Sequence, residues 1–236
     1  MAPATSGVST PESQAPRAYA RAMSERAVKT VGLVAIPTAV LLMVLGPIQA
    51  FVWGDGGPDV PAWIRSADGL HRWADSVWLR LGGSLDRYHF WGRLMVLTYL
   101  GALAGVWAFH RVAAPRVGGW RILVVALALG AVFDLGGYWG STFDGISGVL
   151  AGFEFFCLPA LLVGSLRYGW VLRRPGTQAR WPGFVLLGGG LGVIPSMAAI
   201  AYWPHGVVLP VALAAAVLAA ATAFRLRVEP ASVPAS

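Results

Sequence analysis

The amino-acid sequence predicts an all-α membrane protein with six transmembrane helices, both termini inside, and one amphipathic helix in its first outer loop. Of its 236 residues, 56% are hydrophobic and 12% are charged, whereas about 25% of the residues of ordinary soluble domains are charged. The hydrophobic residues also fall into six runs. Each run has close to the roughly 20 residues that a helix needs to cross the hydrocarbon core of a bilayer.

The first run covers residues 31–53. The segment before it, residues 1–27, is rich in Ala, Pro, Ser and Thr and lacks apolar periodicity, so we predict that it is a disordered cytoplasmic tail. The run is longer than the apolar part of a signal peptide and has no small-x-small cleavage site, so we expect a retained helix. A single six-helix domain over 28–227 is predicted, with a disordered tail over 228–236. The other five predicted spans are 91–110, 120–140, 146–166, 183–203 and 206–224.

The fifth span contains a run of glycines followed by a proline, and two interpretations are open. Glycine weakens a helix and proline removes a backbone donor, so the helix breaks within the membrane, as in many transporters. Alternatively, the glycines allow neighbouring helices to pack closely. The residues concerned are Gly188, Gly189, Gly190, Gly192 and Pro195.

The basic residues orient the spans, because cytoplasmic loops of membrane proteins carry an excess of Lys and Arg. With both termini inside, 13 of the 18 Lys and Arg residues fall in cytoplasmic segments. These are Arg17, Arg21, Arg26, Lys29, Arg111, Arg116, Arg121, Arg167, Arg173, Arg174, Arg180, Arg225 and Arg227. The other five lie in or beside the outer loop 54–90, which also holds five aspartates: Arg65, Arg72, Arg80, Arg87 and Arg93; Asp55, Asp59, Asp68, Asp75 and Asp86.

The outer loop 54–90 has its own helical pattern. We expect this amphipathic helix either to lie in the outer interface of the membrane, with its tryptophans among the lipid headgroups, or to pack on the outer ends of the bundle. The apolar residues at helical spacing are Leu70, Trp73, Val77, Trp78 and Leu81.

Two carboxylates interrupt the apolar spans. Asp134 and Glu154 lie ten residues on either side of Asp144, the centre of a tight hairpin, so antiparallel helices bring them to similar depth. At about 1.5 Å per residue both fall within roughly 5 Å of the bilayer midplane. An ionised carboxylate facing lipid there costs about 2.5–3.5 kcal/mol even on lenient scales, so both are expected to face inward.

Each of the two helices carries a small and polar stripe around its carboxylate. Together the stripes predict a pocket that opens to the outside and binds a proton, a cation or an amphiphilic ligand, because two carboxylates close together in low dielectric do not both ionise. The alternative is that each carboxylate is protonated or paired with arginine and only holds helices together. The pocket residues are Asp134, Tyr138, Asp144, Ser147, Glu154 and His205, with His89 as a further ligand-binding residue.

The sequence Gly145-Ile146-Ser147-Gly148, extended by Gly152, resembles the GxSGxxxG motif at the start of the fourth helix of rhomboid intramembrane serine proteases. The resemblance implies a six-helix core in which Ser147 is the nucleophile and His205, at the outer start of the sixth helix, is its base. It also implies that His89 and outer-loop amides stabilise the oxyanion. Asp134 and Glu154 have no part in that mechanism.

The sequence has no recognisable nucleotide, haem or metal motif, so we predict no cofactor and no metal site. The net charge of +7 is scattered along the chain, which argues against nucleic acid as a partner. We expect membrane lipids and a small-molecule, proton or lipid ligand as partners, in a bacterial cytoplasmic membrane; protein partners stay open. The leading hypothesis is a transporter-like or accessory membrane component. The alternatives are a rhomboid-like protease, a lipid-modifying enzyme and a structural subunit.

Overall fold

The structure is a computed structural model, and it describes residues 15–139, 146–174, 180–200 and 205–224. Every regular element in these residues is an α-helix. The helices are α1 (Ala15–Gly32), α2 (Ala35–Trp53), α3 (Ala62–Arg65), α4 (Asp68–Leu81), α5 (Arg87–Gly92), α6 (Val96–Ala113), α7 (Trp120–Trp139), α8 (Ile146–Leu172), α9 (Arg180–Leu191), α10 (Val193–Ile200) and α11 (His205–Ala223).

Four helical stretches are long and apolar enough to cross a membrane, among the residues that the structure describes. Two shorter apolar helices accompany them, at Phe156–Leu172 and Val208–Ala223. The chain is therefore an all-α membrane protein. The four stretches are Ser24–Trp53, Arg87–Ala113, Trp120–Trp139 and Arg180–Ile200.

The predicted N-terminal tail differs from the structure over residues 15–27, which form most of α1. This segment has little apolar periodicity but is rich in Ala and Arg, which favour helix by intrinsic propensity. Lys29 and Glu25 add an ion pair at i,i+4 spacing, with Nζ and Oε1 2.7 Å apart. Residues 1–14, and the C-terminal tail predicted over 228–236, lie outside the described residues.

The long helices form a closed ring. In this ring α6, α7, α8 and α9 pack in sequence, and α11 closes it by packing on both α9 and α6. Helix α2 and the end of α1 pack on α6 and α11. The ring holds a continuous buried core, whose largest side chains include Tyr99, Phe109, Leu127, Leu158 and Tyr168.

The bundle has two ends that carry different groups. At one, which we name the Tyr88 end, α2, α7 and α10 end while α6, α8 and α11 begin. At the other, the Arg121 end, α6, α8 and α11 end while α7 and α9 begin. There the ring of His110 stacks on Trp120 at 4.2 Å between ring centroids, and its Nδ1 lies 3.3 Å from the hydroxyl of Tyr168.

Glycines allow the helices to approach closely. A Cβ added at Gly105 of α6 would lie 2.8 Å from the carbonyl oxygen of Ala215 on α11 and 2.8 Å from Cβ of Ala35 on α2. One added at Gly189 of α9 would lie 2.8 Å from Cβ of Ala214. In lipid the hydrophobic effect does not drive helices together. Small residues at such contacts let the backbones approach closely, so that packing holds the helices together.

The predicted fifth span is irregular at Gly192, where α9 ends and α10 begins. Proline at position 195 has no N–H, so the carbonyl of Leu191 lacks its usual helical donor. Gly190 packs against Leu166 of α8, so a Cβ there would lie 2.9 Å from its side chain. The close packing that the glycine run predicts is present, whereas the helix is only locally irregular at Gly192. The N–H groups of Gly192 and Ser196 still donate to the carbonyls of Gly188 and Gly192 at 2.8 and 3.0 Å, and Arg180–Ile200 continues as one apolar stretch.

The amphipathic helix predicted in the loop 54–90 is α4, and it packs on the Tyr88 end of the bundle. The ring centroids of Trp73 and Trp91 lie 5.8 Å apart. Asp75 forms an ion pair with Arg87, with Oδ1 and Nη1 2.9 Å apart. Leu81, at the end of the helix, is 73% exposed. These contacts support the interpretation that α4 packs on the bundle.

We expect Gly105→Ala to destabilise the protein by about 1–3 kcal/mol, because the added methyl meets the backbone of α11 and the helices must move apart. Gly188→Ala is the matched control. No heavy atom lies within 4 Å of a Cβ at Gly188, so this change should be neutral or stabilise α9 by about 0.5–1 kcal/mol. Thermal unfolding midpoints in detergent test both, and equal midpoints would show that the Gly105 contact does not limit stability.

Candidate functional site

The carboxylate of Asp134 is inside the bundle. Asp134 is 1% exposed and lies on the buried face of α7, with Gly130 one turn before it and Tyr138 one turn after it. At about 1.5 Å per residue it lies roughly 7.5 Å from the end of α7 at Trp139, still inside the apolar span. The prediction that Asp134 faces inward is confirmed.

Tyr99 of α6 packs on α7 at Gly130, one helical turn before Asp134. The ring of Tyr99 lies against the α-carbon of Gly130, where any side chain would collide with it. Tyr99 is fully buried, so glycine at position 130 is what allows this ring to reach α7. The Tyr99 ring thus packs on α7 one helical turn before Asp134.

From Asp134, polar aromatic groups lead to the Tyr88 end. The hydroxyl of Tyr138 donates a hydrogen bond to the hydroxyl of Tyr88 at 3.2 Å. The ring of His89 lies 5.4 Å from the ring of Tyr88 and 6.5 Å from that of Tyr138, measured between centroids. Nδ1 of His89 is 2.6 Å from Oδ2 of Asp86. This series, Tyr138, Tyr88, His89 and Asp86, is named the polar line.

The two ends of the polar line differ in their access to water. Tyr138 is 5% exposed, whereas the side chains of His89 and Asp86 are 30% and 63% exposed. Polar groups in contact with water therefore lie at one end of the line, and a buried carboxylate lies one helical turn beyond the other.

Gln49 adds a buried amide from α2. It is fully buried, and its Nε2 donates to the carbonyl of Tyr88 at 3.3 Å. Its Oε1 has no hydrogen-bond partner among the described residues. Because a buried acceptor without a donor is costly, this oxygen offers a place for a donor beside the polar line.

Arg93 joins α5 to the end of α7. Its Nε donates to the carbonyl of Tyr138 at 3.2 Å, and its guanidinium lies 4.7 Å from the ring of Trp139. The indole Nε1 of Trp139 donates in turn to the carbonyl of Arg93 at 3.3 Å. Gly92 has the Tyr138 ring directly against its α-carbon. These contacts hold the phenol of Tyr138 in place beside Tyr88.

Asp86 caps α5. Its Oδ1 accepts from the backbone N–H of His89 at 3.0 Å, the hydrogen bond expected of an N-cap aspartate. Partial burial alone raises the pKa of Asp86, but the backbone N–H and the ring of His89 outweigh it and hold the pKa below its ordinary value. Asp86 therefore stays ionised beside His89 throughout the neutral range.

Glu154 is level with Asp134 along the bundle. The rings of Phe133 on α7 and Phe153 on α8 stack with their centroids 5.7 Å apart. Asp134 directly follows Phe133 in the sequence, and Glu154 directly follows Phe153. By helical spacing Glu154 falls on the stripe of α8 that contains the buried residue Leu158. The side chain of Glu154 lies outside the described part of the molecule.

The other predicted site residues are known by backbone position alone. Ser147 lies in the first turn of α8, and His205 is the first residue of α11, so both helices begin at the Tyr88 end. Their side chains, and the whole of Asp144, are outside the described residues. The structure thus brings Asp134, Tyr138 and His89 into one region.

Sequence reasoning did not identify Tyr88, Tyr99, Gln49 or Asp86 as part of this region. The sequence contains a signal for two of these residues, Asp86 and Gln49. Asp86 precedes His89 by three residues at the start of a helix, which is N-cap spacing. Gln49 is an amide within an otherwise apolar span, and such a residue needs a partner inside the bundle.

We expect Asp86→Ala to destabilise the protein by about 0.5–2 kcal/mol through loss of the N-cap hydrogen bond, and Asp86→Asn to retain most of it because asparagine caps equally well. The stabilisation that depends on the charge of Asp86 increases with pH, because the pKa of Asp86 is lowered in the folded state. It is fully present above the ordinary aspartate pKa of about 3.9 and is lost as the pH falls through the lower folded value.

Thermal unfolding midpoints measured through this acidic range test both parts. The difference between wild type and Asp86→Asn should shrink on acidification, while the deficit of Asp86→Ala relative to Asp86→Asn should persist. Equal midpoints for Asp86→Ala and Asp86→Asn at neutral pH would rule out the cap.

No family model matches this chain, and neither a curated protein nor a solved structure is similar to it.

Proposed function

We propose that this protein is a transporter-like or accessory membrane component that binds and releases a proton at Asp134. The observation that carries the proposal is the burial of the Asp134 side chain, 1% exposed within an apolar span and one helical turn from Tyr138 of the polar line. Intramembrane carboxylates of this kind mark proton relays and ion pathways in membrane proteins.

The physical argument concerns the two protonation states of Asp134. An ionised carboxylate inside the hydrocarbon costs about 2.5–3.5 kcal/mol even on lenient insertion scales, whereas the protonated form is a neutral hydrogen-bond donor. A hydroxyl or carboxylic acid placed nearby donates a hydrogen bond to the ionised form, and an oxygen acceptor takes one from the protonated form. Small changes around Asp134 therefore shift its proton between bound and released states, which is the property that a proton-coupled protein requires.

The polar line is the route by which the proton reaches Asp134. Tyr88 and Tyr138 share a hydrogen bond, and hydroxyl groups both donate and accept. The ring nitrogens of His89 can donate or accept a proton in a hydrogen bond, and Nδ1 contacts the partly exposed carboxylate of Asp86. Oε1 of Gln49 provides a further acceptor beside Tyr88 for a water or a protonated ligand.

The proposed topology has six spans with both termini inside. Helices α8 and α11, with 27 and 19 residues, supply by length the fourth and sixth spans, which are the two that the four long apolar stretches do not include. The described residues of α6 to α9 at the Arg121 end carry seven arginines and no Asp or Glu, which supports a cytoplasmic location by the positive-inside rule. The polar line then opens to the outside. The seven are Arg111, Arg116, Arg121, Arg167, Arg173, Arg174 and Arg180.

We expect Asp134→Asn to remove one titrating group from the neutral range. The test is the number of protons released by the purified protein after a jump to alkaline pH, measured with an indicator dye. Asp59→Asn is the matched control, because Asp59 is an exposed carboxylate away from the bundle interior. Proton release should fall in Asp134→Asn and stay unchanged in the control; unchanged release in Asp134→Asn would overturn the proposal.

Tyr138→Phe is expected to leave the number of protons unchanged and to slow their release. The lost hydrogen bond to Tyr88, worth about 1 kcal/mol, corresponds to roughly a fivefold slower step. A Tyr138→Phe protein that releases protons at the wild-type rate would exclude the polar line as the route.

Glu154→Gln should also disturb proton release in the same assay while leaving the thermal midpoint intact.

The serine-protease alternative rests on Ser147 and His205, which both lie at helix starts of the Tyr88 end. A fluorophosphonate probe, which labels activated serines covalently, separates the two functions. If the protein is a protease, labelling appears in the wild type and in Asp134→Asn but vanishes in Ser147→Ala. The proton-binding function predicts no labelling in any of the three proteins.

A further inference from the structure

An apolar groove runs between α7 and α8 on the outer surface of the bundle, opposite the buried face that holds Asp134. Its volume is about 670 Å³, which is within the usual range of ligand pockets. All of its lining residues except one are apolar or cysteine. They are Arg121, Ile122, Val125, Ala126, Leu129, Phe133, Phe153, Phe156, Cys157 and Ala160.

The groove is concave because small residues form its floor and large residues form its walls. Ala126 and Cys157 are 2% and 4% exposed at the floor. Leu129 of α7 and Phe156 of α8, at 44% and 74% exposed, belong to the walls. In a membrane this surface contacts lipid, and its shape fits a linear chain lying along the helices.

The length of the groove matches one leaflet. From Arg121 to Phe133 is 12 residues, about 18 Å along the helix. One leaflet of the hydrocarbon core is about 15 Å thick. A chain that enters at Arg121 therefore ends near the stacked pair Phe133 and Phe153, close to the middle of the bilayer.

Positive charge is concentrated at the Arg121 end of the groove. Arg121 is exposed and has no carboxylate within ion-pair distance among the described residues. Arg167 follows Ala160 by seven residues, which puts it on the same face of α8, and it is likewise exposed and unpaired there. Basic pockets between transmembrane helices on the cytoplasmic side recognise anionic lipid headgroups.

The first turn of α7 adds backbone donors at the same place. Helix α7 begins at Trp120, directly before Arg121, and its first turn contains no acidic residue. A Cβ at Gly119 would lie 3.7 Å from the carbonyl oxygen of Arg167, so the start of α7 and Arg167 are neighbours. Unpaired N–H groups at a helix start favour a phosphate.

We infer that this groove is a binding site for an anionic phospholipid of the leaflet at the Arg121 end. One acyl chain lies in the groove between α7 and α8, and the phosphate lies among Arg121, Arg167 and the start of α7. The second acyl chain stays in the bilayer. The site is separate from Asp134, because Asp134 is not among the residues that line the groove.

The test compares phosphatidylglycerol with phosphatidylcholine of the same acyl chains, by native mass spectrometry of the full chain in detergent. Phosphatidylglycerol should bind more tightly, and Arg121→Gln and Arg167→Gln should each weaken its binding about fivefold. Arg116→Gln is the matched control, because Arg116 is an exposed arginine of the same end that lies in the connection between α6 and α7 and not on either helix that forms the groove. Equal affinity for both lipids, or equal loss in Arg116→Gln, would overturn the proposal.

A second measurement locates the chain without any variant. Phosphatidylglycerol with a photoreactive acyl chain should cross-link to residues 122–133 or 153–160. Cross-links spread over all the helices, or found mainly on other helices, would overturn the site. Oleate is added as a competitor in the same experiment, and its binding in preference to phosphatidylglycerol would contradict recognition of a phosphate.

Discussion

The close approach of α7 and α8 at Gly164 is the contact on which the rest of the molecule depends. A Cβ at this position would lie 2.7 Å from the backbone nitrogen of Leu123, so only glycine lets the two backbones meet. Within lipid, packing of this kind takes the place of the hydrophobic effect as the force between helices. The contact fixes the register of the hairpin, and with it the stacking of Phe133 on Phe153.

That register divides the hairpin into two faces with different chemistry. On the inner face, buried Asp134 lies one helical turn from Tyr138 and one turn from Gly130, on which the Tyr99 ring packs. On the outer face, Ala126 and Cys157 leave a groove between apolar walls that begins at a cluster of arginines. Because both faces follow from one helix pairing, a change at Gly164 affects both sites, whereas a change within one face leaves the other intact.

The sequence predicted the parts of the fold that depend on local composition. Apolar run length located the four helical stretches that are long and apolar enough to cross a membrane, and the cost of a charge in lipid predicted that Asp134 faces inward. The helix over residues 15–27 was missed because its signal is intrinsic propensity rather than apolar periodicity. The contact between Gln49 and Tyr88 joins residues 39 positions apart, and no local pattern in the sequence encodes a contact of that kind.

Protonation of Asp134 is most directly observed by the infrared absorption of protonated carboxyl groups in the purified protein, recorded during a pH titration with Asp134→Asn as the reference. If Asp134 binds and releases a proton, the difference spectrum contains a protonated carboxyl band at neutral pH that disappears as the pH rises. A difference spectrum with no such band at any pH in the neutral range would contradict the account.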